Sequence, residues 1–212
     1  MVLLKEKLFM AWIVCGWYTP DYKPWADRLA GSLGAVGAPH DLVEVPANRG
    51  TWESITMQKP THVMNALRKH SDRTVIFLDA DCVARQPLDE LASIRGDVGA
   101  HLKCKFDKGG RPRLGVRSST LVLKPTEPAR ALVANWIAVG QKAPKGCVDR
   151  RTLPMALAMT PGLCLDILDV RFCAYASDKV ADPVIDQGKA SEHRPKISEG
   201  MRNLYARLGV RA

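Results

Sequence analysis

The sequence predicts an α/β fold with a central, mostly parallel sheet flanked by helices. Two observations predict it. Strand-like and helix-like patterns alternate along the chain, the texture of βαβ units. The segment "TVIFLD", residues 74–79, is a continuous apolar run, as expected of a central parallel strand buried on both faces. At 212 residues the chain is long enough for one sizeable core.

The elements follow in order. "LFMAWIVCGW", 8–17, is read as the first buried strand. Lys5 and Lys7 precede it, so it could pass for a signal-peptide core, but no small-x-small cleavage site follows. "YKPWADRLAGSLGAVG" is a helix with Trp25, Leu29 and Leu33 on one face at i, i+4, i+8. "DLVEV", 41–45, is a short strand, and "KPTHVMNALRKH", 59–70, a helix with Val63, Ala66, Leu67 and His70 on one face. After the 74–79 strand comes a short helix, "PLDELASI", opened by Pro87.

Beyond residue 97 the texture changes. "DVGAHLKCKFDKGGRPRLGVRSSTLVLKP" reads as two strands around a basic Gly/Pro loop. "TEPARALVANWIAVG" is a helix turning Leu132 and Trp136 inward, "RTLPMALAM" a short helix, and "LCLDILDV" a strand. The last thirty residues are polar and irregular, with a weak terminal helix. The expectation is a single domain over 1–212, with a nucleotide-binding half, 1–100, and a mixed half, 101–212.

No window is long and apolar enough for a transmembrane helix, and the 46% hydrophobic content is globular. The six cysteines stand singly, which reads as reduced core thiols of a cytoplasmic protein. The net charge of +9 fits a polyanionic partner such as nucleic acid, anionic lipid or a phosphorylated substrate, and equally a generically basic surface.

The chemistry concentrates where the 74–79 strand ends, at Asp79-Ala80-Asp81. In open α/β sheets ligands bind beyond the carboxyl ends of strands. Residues i and i+2 of an extended segment point the same way, so both carboxylates can face one site. Close carboxylates repel unless a proton or cation lies between them, and a hard divalent cation, Mn²⁺ or Mg²⁺, suits such ligands. A solvated turn is the plain alternative. A second alternative is the nucleophile motif of haloacid-dehalogenase phosphatases, in which the first Asp is phosphorylated. That motif usually opens its domain, whereas here about seventy residues of α/β pattern come first.

The wider arrangement resembles the GT-A glycosyltransferases, which move a sugar from a nucleotide-diphosphate sugar. The resemblance rests on "IVCGWYTPDYKPWADRLAGSL", "TWESITMQKPTHVMNAL", the D-x-D itself, "VRSSTLVLKPTEPARALVANW", "VDRRTLPMAL" and "DPVIDQGKAS", in that order from about residue 10 to 195. It implies a Rossmann-like GT-A domain and a nucleotide-sugar donor, most simply a UDP-sugar, with Asp79 and Asp81 holding the metal. It implies that Tyr18 and Thr19 contact base or ribose, and that Lys59 and Lys189 meet the donor phosphates. Asp149 is the carboxylate at the acceptor hydroxyl, as general base or orienting group. Read without the resemblance, Asp149 is equally a helix N-cap, Tyr18 a packing residue, and Lys59 and Lys189 solvated cations. Two departures stand out. Arg150 replaces the usual Gln, and Asp186-Gln187 lies where many relatives carry a metal-binding His. Asp186 is the candidate third ligand, with His193 further along.

Six of the fifteen residues 103–117 are basic: Lys103, Lys105, Lys108, Arg111, Arg113 and Arg117. Arg150 and Arg151 follow in the same half, beside Lys142 and Lys145. With the acceptor side so basic, a polyanionic acceptor is expected. One candidate is a hydroxymethylated pyrimidine flipped out of DNA, in a viral-type enzyme of the host cytoplasm. Others are a saccharide or lipopolysaccharide acceptor, or a nucleic-acid-binding module on an inactive transferase fold.

Overall fold

The computed structural model describes residues 11–46, 50–106 and 109–188. The main sheet contains β1 (Trp12–Tyr18), β2 (His40–Glu44), β3 (Thr74–Leu78), β5 (Val98–Phe106), β6 (Pro112–Leu123) and β7 (Leu165–Ile167). Its order is β2-β1-β3-β6-β5-β7. β1 pairs parallel with β2 and β3, and β5 parallel with β7. Only β6 is reversed, antiparallel to both β3 and β5. The sheet is therefore mostly parallel, and the reversal comes from the β5–β6 hairpin. Gly110 stands in its turn region at φ +74°, a conformation that glycine adopts without strain. A separate two-stranded ribbon joins β4 (Val83–Ala84) to β8 (Ile185–Asp186).

Helices cover both faces. α3 (Lys59–Lys69), α5 (Glu127–Lys142) and α6 (Asp149–Ala158) bury Val63, Leu67, Leu132, Trp136 and Leu153 against one face. α1 (Lys23–Ala35) and α4 (Asp89–Ala92) bury Leu29, Leu33 and Leu91 against the other. Leu29 and Leu33 are wholly inaccessible, and each such burial contributes roughly 2 kcal/mol. α5 starts where the sequence says it should: the Thr126 side chain accepts a hydrogen bond from the Ala129 backbone N–H, and a proline follows in the first turn.

Several local expectations shift. On α1 the third buried position is Ala26, while Trp25 stays half-buried beneath the Arg28 guanidinium, 4.6 Å from the ring centroid. On α3 Met64 is buried rather than Ala66, and His70 is the C-cap. α2 (Trp52–Thr56), capped by the Thr51 side chain, was not anticipated. All six cysteines are free thiols, but only Cys15, Cys82 and Cys173 are core residues; Cys104 and Cys164 are exposed. No helix among the described residues is long and apolar enough to cross a membrane.

Candidate active site

β3 ends at Leu78 and the chain turns immediately, with the Cys82 N–H donating to the Asp79 carbonyl at 3.0 Å. The Asp79 N–H donates to the Ser119 carbonyl at 3.0 Å, so the first carboxylate leaves the sheet at the last rung between β3 and β6. α3 begins beside it. Lys59, the first residue of that helix, is 6% exposed. Its ammonium lies 2.8 Å from Asp79 Oδ1 and 2.8 Å from Asp149 Oδ2. It also donates to the carbonyl and hydroxyl of Ser118, each at 3.4 Å. Far from being solvated, Lys59 is the buried hub of the site.

Asp149 is the first residue of α6 rather than its N-cap, which is Val148. Its carboxylate turns inward, accepts from Ser118 Oγ at 2.6 Å, and is 5% exposed. Its carbonyl accepts from Trp136 Nε1 at 3.2 Å, and the same N–H reaches Thr152 Oγ1 at 2.9 Å. The Trp136 that fills the core thus also fixes the start of α6.

The charges are strongly coupled. Burial alone would lower the Lys59 pKa, but Asp149 and Asp79 outweigh it and hold the ammonium above the ordinary lysine range. Burial would raise Asp149, and Lys59 with Ser118 reverses that, so Asp149 stays ionised. Burial pushes Asp79 up to about 6, opposed by Lys59 and reinforced by Asp149 and Asp81. Three carboxylates and one ammonium sum to −2, with oxygen donors at the solvent-facing side, where the Asp79 side chain keeps 31% exposure. Carboxylate oxygens of this kind suit a hard divalent cation, with Asp79 and Asp81 as its candidates, since the three aspartates together do not bring their ligand atoms within 4.8 Å of one another.

The Asp81 loop is held from behind. Arg28 on α1 donates to the Asp81 carbonyl at 3.2 Å. The β4–β8 ribbon brings residues 185–188 alongside. Gln187 is 7% exposed, donates to Thr120 Oγ1 at 3.0 Å and lies 3.2 Å from Cys82 Sγ. Gly188 packs so closely that a Cβ there would lie 2.2 Å from the Asp81 carbonyl oxygen. Tyr175 is also near: burial raises its phenol pKa, and the charges of Asp79 and Asp81 add to the rise.

The remaining sequence candidates divide. Asp186 lies on β8, but its carboxylate takes an Arg85 Nε hydrogen bond at 2.7 Å, and it does not form a three-carboxylate cluster with Asp79 and Asp81. Among the described residues the only three-residue group of metal-ligand type is Cys15, Asp41 and His70, where Lys69 already lies 2.7 Å from the Asp41 carboxylate. Tyr18 ends β1, and Thr19 is buried with its hydroxyl donating to Asp21, so it organises the turn Pro20–Tyr22. Arg117 departs most from expectation: it is bidentate with Asp178 at 2.6 and 2.8 Å and bonds the Cys173 carbonyl at 2.6 Å. Its side chain is 9% exposed, so it braces the structure instead of facing an acceptor. Lys103 lies 3.5 Å from the same Asp178. Arg111, Arg150 and Arg151 are exposed. Lys108, Lys189 and His193 lie outside the described residues, as do the side chains of Lys105 and Arg113. Ser118, Tyr175, Arg28 and Gln187 are site residues that sequence reasoning did not assign. Arg28, Ser118 and Gln187 lie within the motif segments without any local sign of their contacts, and nothing local marks Tyr175.

No family model matches the sequence and no curated protein matches it. Solved structures do match. A glycosyltransferase involved in glycosylating the major capsid of PBCV-1 superposes with a TM-score of 0.64, at 10% identity over 86% of this chain and 97% of that one. The fold is the GT-A glycosyltransferase fold. Apo GlyE of Streptococcus pneumoniae TIGR4 matches at a TM-score of 0.60 and 11% identity, over 95% of this chain and 64% of that one. The galactosyltransferase LgtC, solved with donor and acceptor sugar analogs, matches at 0.54 and 12%, over 92% and 95%. Asp79, Lys59 and Asp149 meet at the end of β3 in this fold. The phosphatase reading finds no support, since the structural neighbours are glycosyltransferases.

Proposed function

We propose that the protein is a divalent-cation-dependent glycosyltransferase that moves a sugar from a nucleotide-diphosphate sugar, a UDP-sugar in the simplest case, to an acceptor hydroxyl. The observation that carries this is the Asp79–Lys59–Asp149 bridge at the end of β3, with Asp81 beside it. Asp79 and Asp81 would hold Mn²⁺ or Mg²⁺, which as a Lewis acid stabilises the charge on a departing diphosphate. Lys59 keeps Asp149 ionised and fixed. Asp149 would orient the transferring sugar or the acceptor hydroxyl, near an anomeric carbon that gains positive character. Tyr18 would contact base or ribose, and Lys189 the diphosphate. Asp186 is paired with Arg85 through Oδ2, which leaves Oδ1 as the oxygen it could offer.

For the acceptor, the structure weakens the purely electrostatic case. Arg117 and Lys103 face Asp178, so the basic cluster is smaller than the sequence suggests. A saccharide acceptor is therefore favoured over a hydroxymethylated pyrimidine in DNA. The deciding experiment incubates the protein with labelled UDP- and GDP-sugars, with and without Mn²⁺, adding saccharides or hydroxymethylated DNA. Metal-dependent donor turnover abolished by Asp81→Ala supports the reading. No turnover of any donor in either metal condition overturns it, and label on DNA alone reverses the acceptor choice.

A further inference from the structure

Cys15 and Asp41 stand side by side where β1 pairs with β2, in direct register. Partners in register point to the same side of a sheet. That side is the one α3 packs on, because Cys15 belongs to the core cluster that Val63 and Leu67 of α3 fill. The helix ends there. His70 is its C-cap, and His70 Nε2 lies 2.8 Å from Asp41 Oδ2. The Cys15 Sγ, a carboxylate oxygen of Asp41 and a ring nitrogen of His70 all lie within 4.8 Å of one another. Three separate segments thus bring a thiol, a carboxylate and an imidazole to one point. None of the three belongs to the Asp79–Lys59–Asp149 bridge.

The mixture of donors selects the metal. Thiolate and imidazole suit Zn²⁺, whereas Mg²⁺ and Mn²⁺ prefer oxygen ligands. Bonds of about 2.0–2.3 Å in a tetrahedron put neighbouring ligand atoms roughly 3.3–3.6 Å apart, so side-chain shifts of about 1 Å would gather these three around one ion. Lys69 and His70 both reach Asp41 through Oδ2, so Oδ1 is the oxygen that neither uses. The Lys69 side chain is 60% exposed, and its ammonium can turn out into water. A cavity of about 100 Å³ adjoins Cys15, Asp41 and Lys69, with the stacked rings of Trp17 and His62 in its wall. That is room for a water as the fourth ligand.

We propose that Cys15, Asp41 and His70 form a Zn²⁺ site, completed by water, that ties the β1–β2 edge of the sheet to the C-terminal end of α3. As the Zn–S bond forms, the thiol proton leaves to solvent. His70 trades its contact with Asp41 for one with the ion, and Lys69 swings outward. The effect reaches the active site through the helix, because Lys59 is the first residue of α3 and His70 caps its other end. An ion that fixes one end of α3 restrains the lysine that bridges Asp79 and Asp149 at the other. The site stands apart from the transferase reading, since its ligands take no part in the bridge.

The test is titration of the full chain with Co²⁺, a spectroscopic stand-in for Zn²⁺, in excess Mg²⁺ to occupy all-carboxylate sites. The wild type should develop thiolate-to-cobalt charge-transfer absorption that added Zn²⁺ bleaches, with a single ion per chain. Carboxylates alone cannot give that band. Cys15→Ser should abolish it. His70→Ala should weaken Co²⁺ binding by about tenfold or more, and it probes the site from the helix end even where the buried Cys15→Ser folds poorly. The double variant Cys104→Ser, Cys164→Ser removes the exposed thiols and should keep the band. Zn²⁺ should also raise the melting temperature of the wild type and of neither site variant. Absence of the band in the wild type overturns the proposal. So does a band that survives His70→Ala at unchanged affinity, or one that vanishes with Cys104 and Cys164. A band lost in Asp81→Ala but kept in Cys15→Ser puts the ion at the carboxylate loop and overturns it as well.

Discussion

Lys59 and Asp149 meet at 2.8 Å with each side chain only 7% exposed. One comes from the first turn of α3 and the other from the first turn of α6. Asp79, from the end of β3, meets the same ammonium at 2.8 Å. The contact therefore joins three elements at the end of β3.

Removing Lys59 should be costly in two ways. Lys59→Ala leaves Asp149 and Asp79 without their counter-charge, and breaking a buried ion pair from one side costs roughly 3–5 kcal/mol. Denaturant unfolding should show that loss. Sugar transfer should fall with it, because Asp149 loses its fixed position. A variant with wild-type stability and turnover would mean that the bridge is incidental.

Asp81→Ala should behave differently. Its side chain is half-buried at the site's edge, so stability should change little, within about 1 kcal/mol. Donor turnover should drop ~10²-fold or more, the usual scale for losing a group that stabilises developing charge. Titrating Mn²⁺ against turnover should show whether the loss lies in metal affinity. Full activity at ordinary Mn²⁺ would remove Asp81 from the ligand set.

Gly188→Ala tests the brace behind the carboxylate loop. The added Cβ would fall 2.2 Å from the Asp81 carbonyl and 2.9 Å from its Cβ, so the backbone there has to move. The expected result is a raised KM for the nucleotide sugar with the fold intact by circular dichroism. An unchanged KM would show that the loop position does not govern donor binding.

Asp178 should mark the acid stability of the protein. The Arg117 hydrogen bonds hold its carboxyl well below the usual carboxylate range, with burial opposing them. A carboxylate whose folded pKa is depressed stabilises the fold above its unfolded pKa, near 3.9, and that contribution fades as pH falls from there toward the folded value. Unfolding free energy followed from pH 6 downward should therefore decline below about pH 4 in the wild type. In Asp178→Asn the starting stability should be lower and this part of the decline missing. Parallel curves for the two proteins would show that Arg117 gains nothing from the Asp178 charge.

Much of this molecule could be read from its chain. The apolar run ending at Asp79, the capped start of α5 and the spacing of Leu29 and Leu33 are local signals, because backbone geometry alone imposes periods of 2 and 3.6 residues. The pair Asp79 and Asp81 was legible for the same reason, as a strand with an abrupt polar end. Charge partnership was not. Lys59 looked like a helix-start cation and Arg117 like one of six in a basic stretch, and nothing local says that one is buried between two carboxylates and the other clamped by Asp178. Those pairings join residues from distant segments, so they exist only once the sheet order is set. The sequence by itself determined the α/β elements and the carboxylate-ended strand. The tertiary structure alone decided which of these charges are neutralised, and by which partner. The physical reason is that burial and counter-charge depend on what packs alongside a residue and not on what precedes it in the chain.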